Sequence, residues 1–481
     1  MVFNSMQFML FFPIVIGGIL VVPKALRIGW LLIASYYFYM CWNPAYALLL
    51  GVSTLTTYFT GIALDKAVEE KSKKRIVALC CLLNLGILFV FKYLNFSIEA
   101  INFGLNFIDI NPIQRRIDLL LPVGISFYTF QAIGYIIDVY RGSKAEYDLI
   151  KYALFVSFFP QLGSGPIERS KNIFPQLEAL KTRNLWEYDR IKNGVLLLLW
   201  GMFQKIVIAD RLALYVDTVY NNYQEYGLLI IFTAIVLYSF QIYCDFAGYS
   251  NMARGVAQVI GINIMENFKC PYFATNIQEF WRRWHISLTS WFRDYLYIPL
   301  GGNRKGEVRK QINILIVFIL SGLWHGASWN YVIWGALHGI MQIVHNVYRK
   351  FIKVKEQSFS AKLRNGICTF GFVTIAWLFF RVASMQQLSA LLWQMTSELG
   401  DFTSVFAVLS IGDRNLLILG LVILFVVDFV HEKGISIRNW IEKQEFWFRY
   451  LMYIGVIVAC IYLGVHTTGF EGTAQFIYFQ F

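Results

Sequence analysis

Six histidines stand in this chain, at positions 285, 325, 338, 345, 431 and 466. Three fall in a stretch rich in Trp and Arg, within Phe280-Trp-Arg-Arg-Trp-His-Ile-Ser-Leu-Thr-Ser-Trp-Phe-Arg-Asp294 and Ser321-Gly-Leu-Trp-His-Gly-Ala-Ser-Trp-Asn-Tyr-Val-Ile-Trp-Gly-Ala-Leu-His-Gly339. Unperturbed imidazole exchanges its proton near neutral pH, so a histidine held in place can take a proton from a hydroxyl as a general base. His325 is flanked by Gly322 and Gly326, which leave backbone room for a ligand. The three histidines lack metal-ligand spacing and a nearby carboxylate pair, so no metal is expected among them. No P-loop, dinucleotide-binding glycine fingerprint or serine nucleophile elbow is present in the sequence.

The elements that must position these groups follow from composition. Of 481 residues, 57% are hydrophobic and 15% charged, against roughly 25% charged in an average soluble protein. A soluble enzyme, a disordered chain and a fibrous chain are excluded, and long apolar runs argue against a transmembrane barrel. The fold class is an all-α polytopic membrane protein. Apolar runs of spanning length lie near 7–23, 28–43, 45–64, 76–95, 117–138, 193–209, 227–247, 312–328, 330–348, 367–383, 416–431 and 448–466. They predict about 11–12 transmembrane helices. Weaker stretches at 151–162, 250–263 and 281–300 predict re-entrant or interfacial helices.

At 1.5 Å per residue, His325 lies roughly 20 Å from the start of its run near Ile312, and His338 roughly 16 Å from Arg349. Ionisable groups at that depth usually line a cavity or a site. For His338 the plainer reading is a hydrogen bond to a neighbouring helix. His285 lies in a segment too charged to span. It is either on an interfacial helix with Trp anchors and snorkelling Arg, or on a re-entrant helix that brings it toward His325.

The net charge is +12, from 42 basic and 30 acidic residues. In this class such an excess belongs to cytoplasmic loops beside anionic lipid, so no nucleic-acid partner is expected. Basic clusters occur at Lys66–Arg75, Arg282–Lys310, Lys350–Arg364 and, more weakly, His431–Lys443. Placing all four inside puts the amino terminus and the tail from Thr467 to Phe481 outside, with Arg115 and Arg116 in mild conflict. The seven cysteines show no C-x-x-C pair and read as packing residues. The first apolar run reads as a retained helix, since no basic segment precedes it and no cleavage site follows. One membrane domain, 1–466, followed by an extracytoplasmic aromatic tail, 467–481, is expected.

Further segments carry a resemblance: Leu121-Pro-Val-Gly-Ile-Ser-Phe-Tyr-Thr-Phe-Gln131, Phe159-Pro-Gln-Leu-Gly-Ser-Gly-Pro-Ile167 and Ser239-Phe-Gln-Ile-Tyr-Cys-Asp-Phe-Ala-Gly-Tyr-Ser250. With the Trp-Arg-Arg-Trp-His and Leu-Trp-His-Gly stretches, they make the chain resemble the membrane-bound O-acyltransferases (MBOAT), and within these the alginate O-acetyltransferase AlgI type. The resemblance implies helices around a central tunnel, with a cytoplasmic acyl donor and a hydroxyl acceptor arriving from the other side. It implies a nearly invariant histidine, matched by His325, and an Asn, Asp or His upstream, matched by His285.

The AlgI type implies that acetyl-CoA is the donor substrate with no bound cofactor. It also implies an SGNH-type extracytoplasmic esterase/transferase partner, an extracellular or cell-wall polysaccharide as final acceptor, and a multi-pass place in the bacterial cytoplasmic membrane. On this reading His325 is the general base, and His285 orients the donor or stabilises the oxyanion. Trp324, His338 and Asp245 are tunnel candidates. Arg282, Arg283 and Arg304 are candidates for the donor's phosphates, unless they are only a positive-inside loop. Asp138, Glu168 and Asp245 are equally open to structural pairing with Arg.

The tail Phe476-Ile-Tyr-Phe-Gln-Phe481 reads plainly as an aromatic belt. It is also similar to the carboxyl end of an accessory peptide of teichoic acid D-alanylation, which makes Tyr478 a candidate acyl shuttle. The alternatives are D-alanyl transfer to teichoic acid by the same fold, and a polymer exporter or flippase without covalent chemistry.

Overall fold

The computed structural model describes residues 1–114, 119–351, 358–400, 403–465 and 476–477. Arg115, Arg116, Lys353, Lys355, His466 and the proposed shuttle Tyr478 lie outside the described residues. Among the described residues the regular elements are all helical. Among the described residues, six helices are long and apolar enough to cross a membrane: Pro44–Lys66, Glu70–Asn106, Leu228–Ile260, Phe359–Arg381, Ile411–Glu432 and Phe446–Leu463. Their outward apolar side chains, such as Val422, Phe425 and Ile454, are more than half exposed. Lipid chains, unlike water, would cover them at no cost.

The expected count of 11–12 spans is thus larger than the number of helices that meet both criteria. Most of the other expected runs do form helices, but shorter or more polar ones. Met6–Val21, Arg27–Met40 and Ile125–Tyr140 have 16, 14 and 16 residues. Glu307–His325 opens on a charged turn. Ile125–Tyr140 is buried along nearly its whole length, so protein covers its apolar surface.

Two compact units divide the chain. The first comprises Met1–Val195, Ala253–Met265 and Gly326–Ser328. Three of its helices begin where side chains satisfy otherwise unpaired N–H groups. Ser5 accepts from Phe8, Asn43 accepts from Ala45 just before Pro44, and Asp148 accepts from Ile150 and Lys151. Gly124 turns into Ile125–Tyr140 at φ +75, and a Cβ there would meet the Leu162 carbonyl at 2.0 Å. Only glycine fits both demands. Polar bonds cross the buried interior: Tyr152 Oη donates to Thr57 Oγ1 at 2.7 Å, and Arg27 donates to the carbonyls of Leu180 and Arg183 at 2.9 and 2.8 Å.

Glu168 is buried and accepts from Asn172 Nδ2 at 2.8 Å and from the backbone N–H groups of Arg169 and Met265. Its hydrogen bonds come from amides, and the charge of Arg169 adds to them, as weighed from the sequence. Asp138 is half-buried near the end of Ile125–Tyr140.

The second unit comprises Leu196–Met252, Glu266–His325 and Trp329–Phe481. Two close helix contacts shape it. A Cβ on Gly201 would lie 2.5 Å from the Gly248 carbonyl, which draws the segment around Gly201 tightly against Leu228–Ile260. A Cβ on Gly322 would lie 2.1 Å from the Tyr331 carbonyl, and one on Gly335 would lie 2.2 Å from that of Phe318. Glu307–His325 and Trp329–Phe351 therefore form a hairpin whose backbones nearly touch. The stretch at 281–300 is not one helix. It breaks into Ile277–Arg283 and Ile286–Phe292, and His285 sits in the break.

Candidate functional site

His285 and His325 come together within the second unit. Their ring centroids are 6.3 Å apart, and both side chains are buried. His325 is the last residue of Glu307–His325, whose C-terminal end carries the negative pole of the helix dipole. Aromatic rings wall the pair. Trp324, Trp334 and Phe380 pack on His325 at 5.0, 5.2 and 5.2 Å, and Phe246 packs edge-on to His285 at 4.7 Å. Trp324 also faces His285, at 6.0 Å.

The backbone at His285 is held as firmly as its ring. The residue adopts φ 44, ψ 53, in the left-handed region. Asn267 fixes this turn from both of its amide-bearing ends. Its backbone carbonyl accepts from Ile286 N at 3.0 Å, and its side-chain Oδ1 accepts from Ser287 N at 3.2 Å. Lys269 N donates to the Arg283 carbonyl at 3.0 Å, completing a clamp of residues 267–269 on 283–287.

His338 is placed differently. It is fully buried among Trp281, Trp334 and Phe372, and its Nδ1 accepts from Trp281 Nε1 at 3.3 Å. This is the inter-helix hydrogen bond weighed from the sequence, and it links His338 to the Trp-Arg-Arg-Trp-His segment.

Asp245 is buried in an ion cluster. Lys205 Nζ lies 2.6 Å from Asp245 and 2.7 Å from Asp210, and all three side chains are nearly inaccessible. The partner is a lysine, not the arginine considered from the sequence. The Gly201–Gly248 approach brings these two stretches of helix close enough for the contact. Asp245 Oδ2 also accepts from the backbone N–H of Ile477 at 2.7 Å. Phe476 stacks on Tyr249 at 4.6 Å and meets Phe246 at 6.0 Å, and both Phe476 and Ile477 are buried. These two tail residues are thus packed inside the protein. Phe476 meets the ring that packs on His285.

The three arginines divide. Arg283 has its guanidinium engaged by Glu279 at 2.5 Å and by Glu432 at 2.5 and 3.0 Å. The bond to Glu432 holds it above the ordinary arginine range. At Glu279, partial burial raises the carboxyl, but bonds from Thr275 and the charge of Arg283 outweigh it and leave the group below its ordinary value. Arg282 and Arg304 are exposed.

Sequence reading missed Lys205, Asp210, Phe246 and the two docked tail residues. The first two left a signal, since a lysine inside the run 193–209 demands a buried counter-charge.

Comparison with known proteins gives this geometry a context. The profile of the family described as MBOAT, membrane-bound O-acyltransferase family, matches residues 140–389. The chain is 40% identical over 385 residues to a probable alginate O-acetylase AlgI of Pseudomonas syringae pv. tomato, covering 79% of this chain and 72% of that protein. It is 35% identical over 382 residues to a peptidoglycan O-acetyltransferase of Helicobacter pylori, covering 74% and 71%. A teichoic acid D-alanyltransferase of Bacillus subtilis is 30% identical over 249 residues, covering 49% and 62%.

Proposed function

The chain belongs to the membrane-bound O-acyltransferase family, and on that premise we propose that it transfers acetyl groups from cytoplasmic acetyl-CoA across the bacterial cytoplasmic membrane, to acetylate a polysaccharide beyond it. The O-acyltransferase class and the multi-pass membrane setting are family properties. Acetyl as the group and polysaccharide as the final acceptor are supported by relatives named for alginate and peptidoglycan O-acetylation over most of the chain. The teichoic acid enzyme matches over less of it.

The observation that carries the mechanism is the buried His285–His325 pair at 6.3 Å. His325 takes the proton of the acceptor hydroxyl as its oxygen bonds to the thioester carbonyl carbon. The carbon–sulfur bond then breaks, and the imidazolium returns the proton to the departing thiolate. His285 orients the donor or stabilises the oxyanion between these steps. Trp324 packs beside both rings and helps exclude water. Arg282 and Arg304, exposed and uncommitted to the Glu279–Glu432 pairing, are assigned to the donor's phosphates. Arg283 braces the segment that carries His285.

The first acceptor in this scheme is the hydroxyl of Tyr478, which passes the acetyl group to the serine of an SGNH-type partner outside the membrane. Support comes from the two preceding residues, Phe476 and Ile477, seated on Tyr249 and Asp245.

The test uses acetyl-labelled CoA with purified protein, partner and polymer. Wild-type protein is expected to release CoA and label the polymer. Tyr478→Phe removes only the oxygen, so label should not reach the polymer. Full polymer labelling by that variant excludes the shuttle while leaving the transferase intact. Labelling from D-alanyl carrier protein in place of acetyl-CoA overturns the choice of donor.

A further inference from the structure

Cys270, Asp428 and His431 each offer one ligand atom, and these atoms all lie within 4.8 Å of one another. Asp428 and His431 stand one turn apart on Ile411–Glu432, so both project from one face. Cys270 reaches them from a loop, in the left-handed conformation at φ 42. Tyr243 Oη donates to Asp428 Oδ2 at 2.9 Å. That leaves the other carboxylate oxygen for a cation, as outer-shell partners of metal ligands do.

We propose that these three side chains bind a zinc-class divalent cation, which pins the loop holding His285 to the helix Ile411–Glu432. The donor set is a thiolate, a carboxylate and a neutral imidazole, which suits a borderline-soft ion. On binding, the Cys270 thiol gives its proton to solvent and its sulfur bonds to the metal. One thiolate and one carboxylate then balance the charge of the dication, and water fills the fourth tetrahedral position.

The mechanical consequence lies in the loop itself. The Cys270 carbonyl accepts from Arg283 at 3.3 Å, next to the Lys269–Arg283 bond and the Asn267 clamp on residues 286 and 287. An ion on Cys270 therefore steadies the backbone that turns at His285. It takes no part in bond-making, since none of its ligands belongs to the histidine pair.

The test is metal content of the purified chain by mass spectrometry, with Co²⁺ reconstitution read by its thiolate-to-metal absorption. About one zinc per chain is expected, as for a dedicated site of this donor set. Cys270→Ser and His431→Ala should lose it while keeping the helical circular dichroism of wild type. Tyr243→Phe should weaken affinity by about tenfold, the usual scale for a lost outer-shell bond. Wild-type protein that carries no zinc from replete cells and shows no thiolate–cobalt band overturns the proposal. So does zinc retained in full by both ligand variants. Because metal content is read without any acyl substrate, neither result depends on the proposed transfer reaction.

Discussion

Two buried polar clusters of the second unit are enclosed in opposite ways. Around His285 and His325 the walls are rings: Phe246, Trp324, Trp334 and Phe380. Around Lys205 the walls are charges, Asp210 and Asp245, each within 2.7 Å. Aromatic walls hold the histidine rings in place by packing. An ion cluster fixes every charge and leaves nothing to exchange. The first arrangement fits chemistry, and the second fits holding helices and the two docked tail residues in register.

Breaking each cluster should therefore fail differently. His325→Ala is expected to lower acetyl transfer by about 10²–10⁴-fold, the range for a lost general base. Its thermal unfolding in detergent should stay near wild type, and a large drop there would mean that His325 is a packing residue. Lys205→Met is expected to destabilise by about 3–5 kcal/mol, because two carboxylates remain buried without their cation. A variant that unfolds at the wild-type temperature would remove the charge-wall half of the comparison. Asp245→Asn sharpens it further. The amide oxygen can still accept from Ile477 N–H, so tail protection from protease should fall less than in Asp245→Leu.

The smallest effect concerns pH. Glu279 is held below its ordinary value of 4.5, so its stabilisation is complete above that value and fades as pH falls through the lowered one. Glu279→Gln should remove part of the acid sensitivity of unfolding, about 0.2–1 kcal/mol for so accessible a pair. An unchanged acid profile would show that Arg283 relies on Glu432 alone.

The histidine pair was legible in the sequence because imidazoles in an apolar background are costly, and because the resemblance joined two positions 40 residues apart. Helix extents were less legible. The runs at 227–247 and 250–263 were read as separate, yet Leu228–Ile260 is one helix of 33 residues. Asp245 and Asn251 break the hydropathy there, but protein contacts satisfy polar groups that lipid could not. Asp245 meets Lys205, and Asn251 donates to Gln204 at 2.8 Å. Hydropathy records what a residue would cost in lipid and is silent on a protein neighbour. The docking of Phe476 and Ile477 was illegible for a related reason, since an aromatic tail suits a membrane interface and a ring-lined interior equally.

The left-handed turn at position 285 bears on what evolution can place there. Outside glycine, that backbone region is entered chiefly by Asn, Asp and His. These are the residue types that the resemblance implies at this position, and each carries a polar side chain. The chain's path at the kink thus acts as a filter on substitution, screening out most side chains on conformational grounds before selection weighs activity. A drift from His to Asn or Asp would keep the kink and change only the chemistry. A drift to a β-branched residue would lose both at one step.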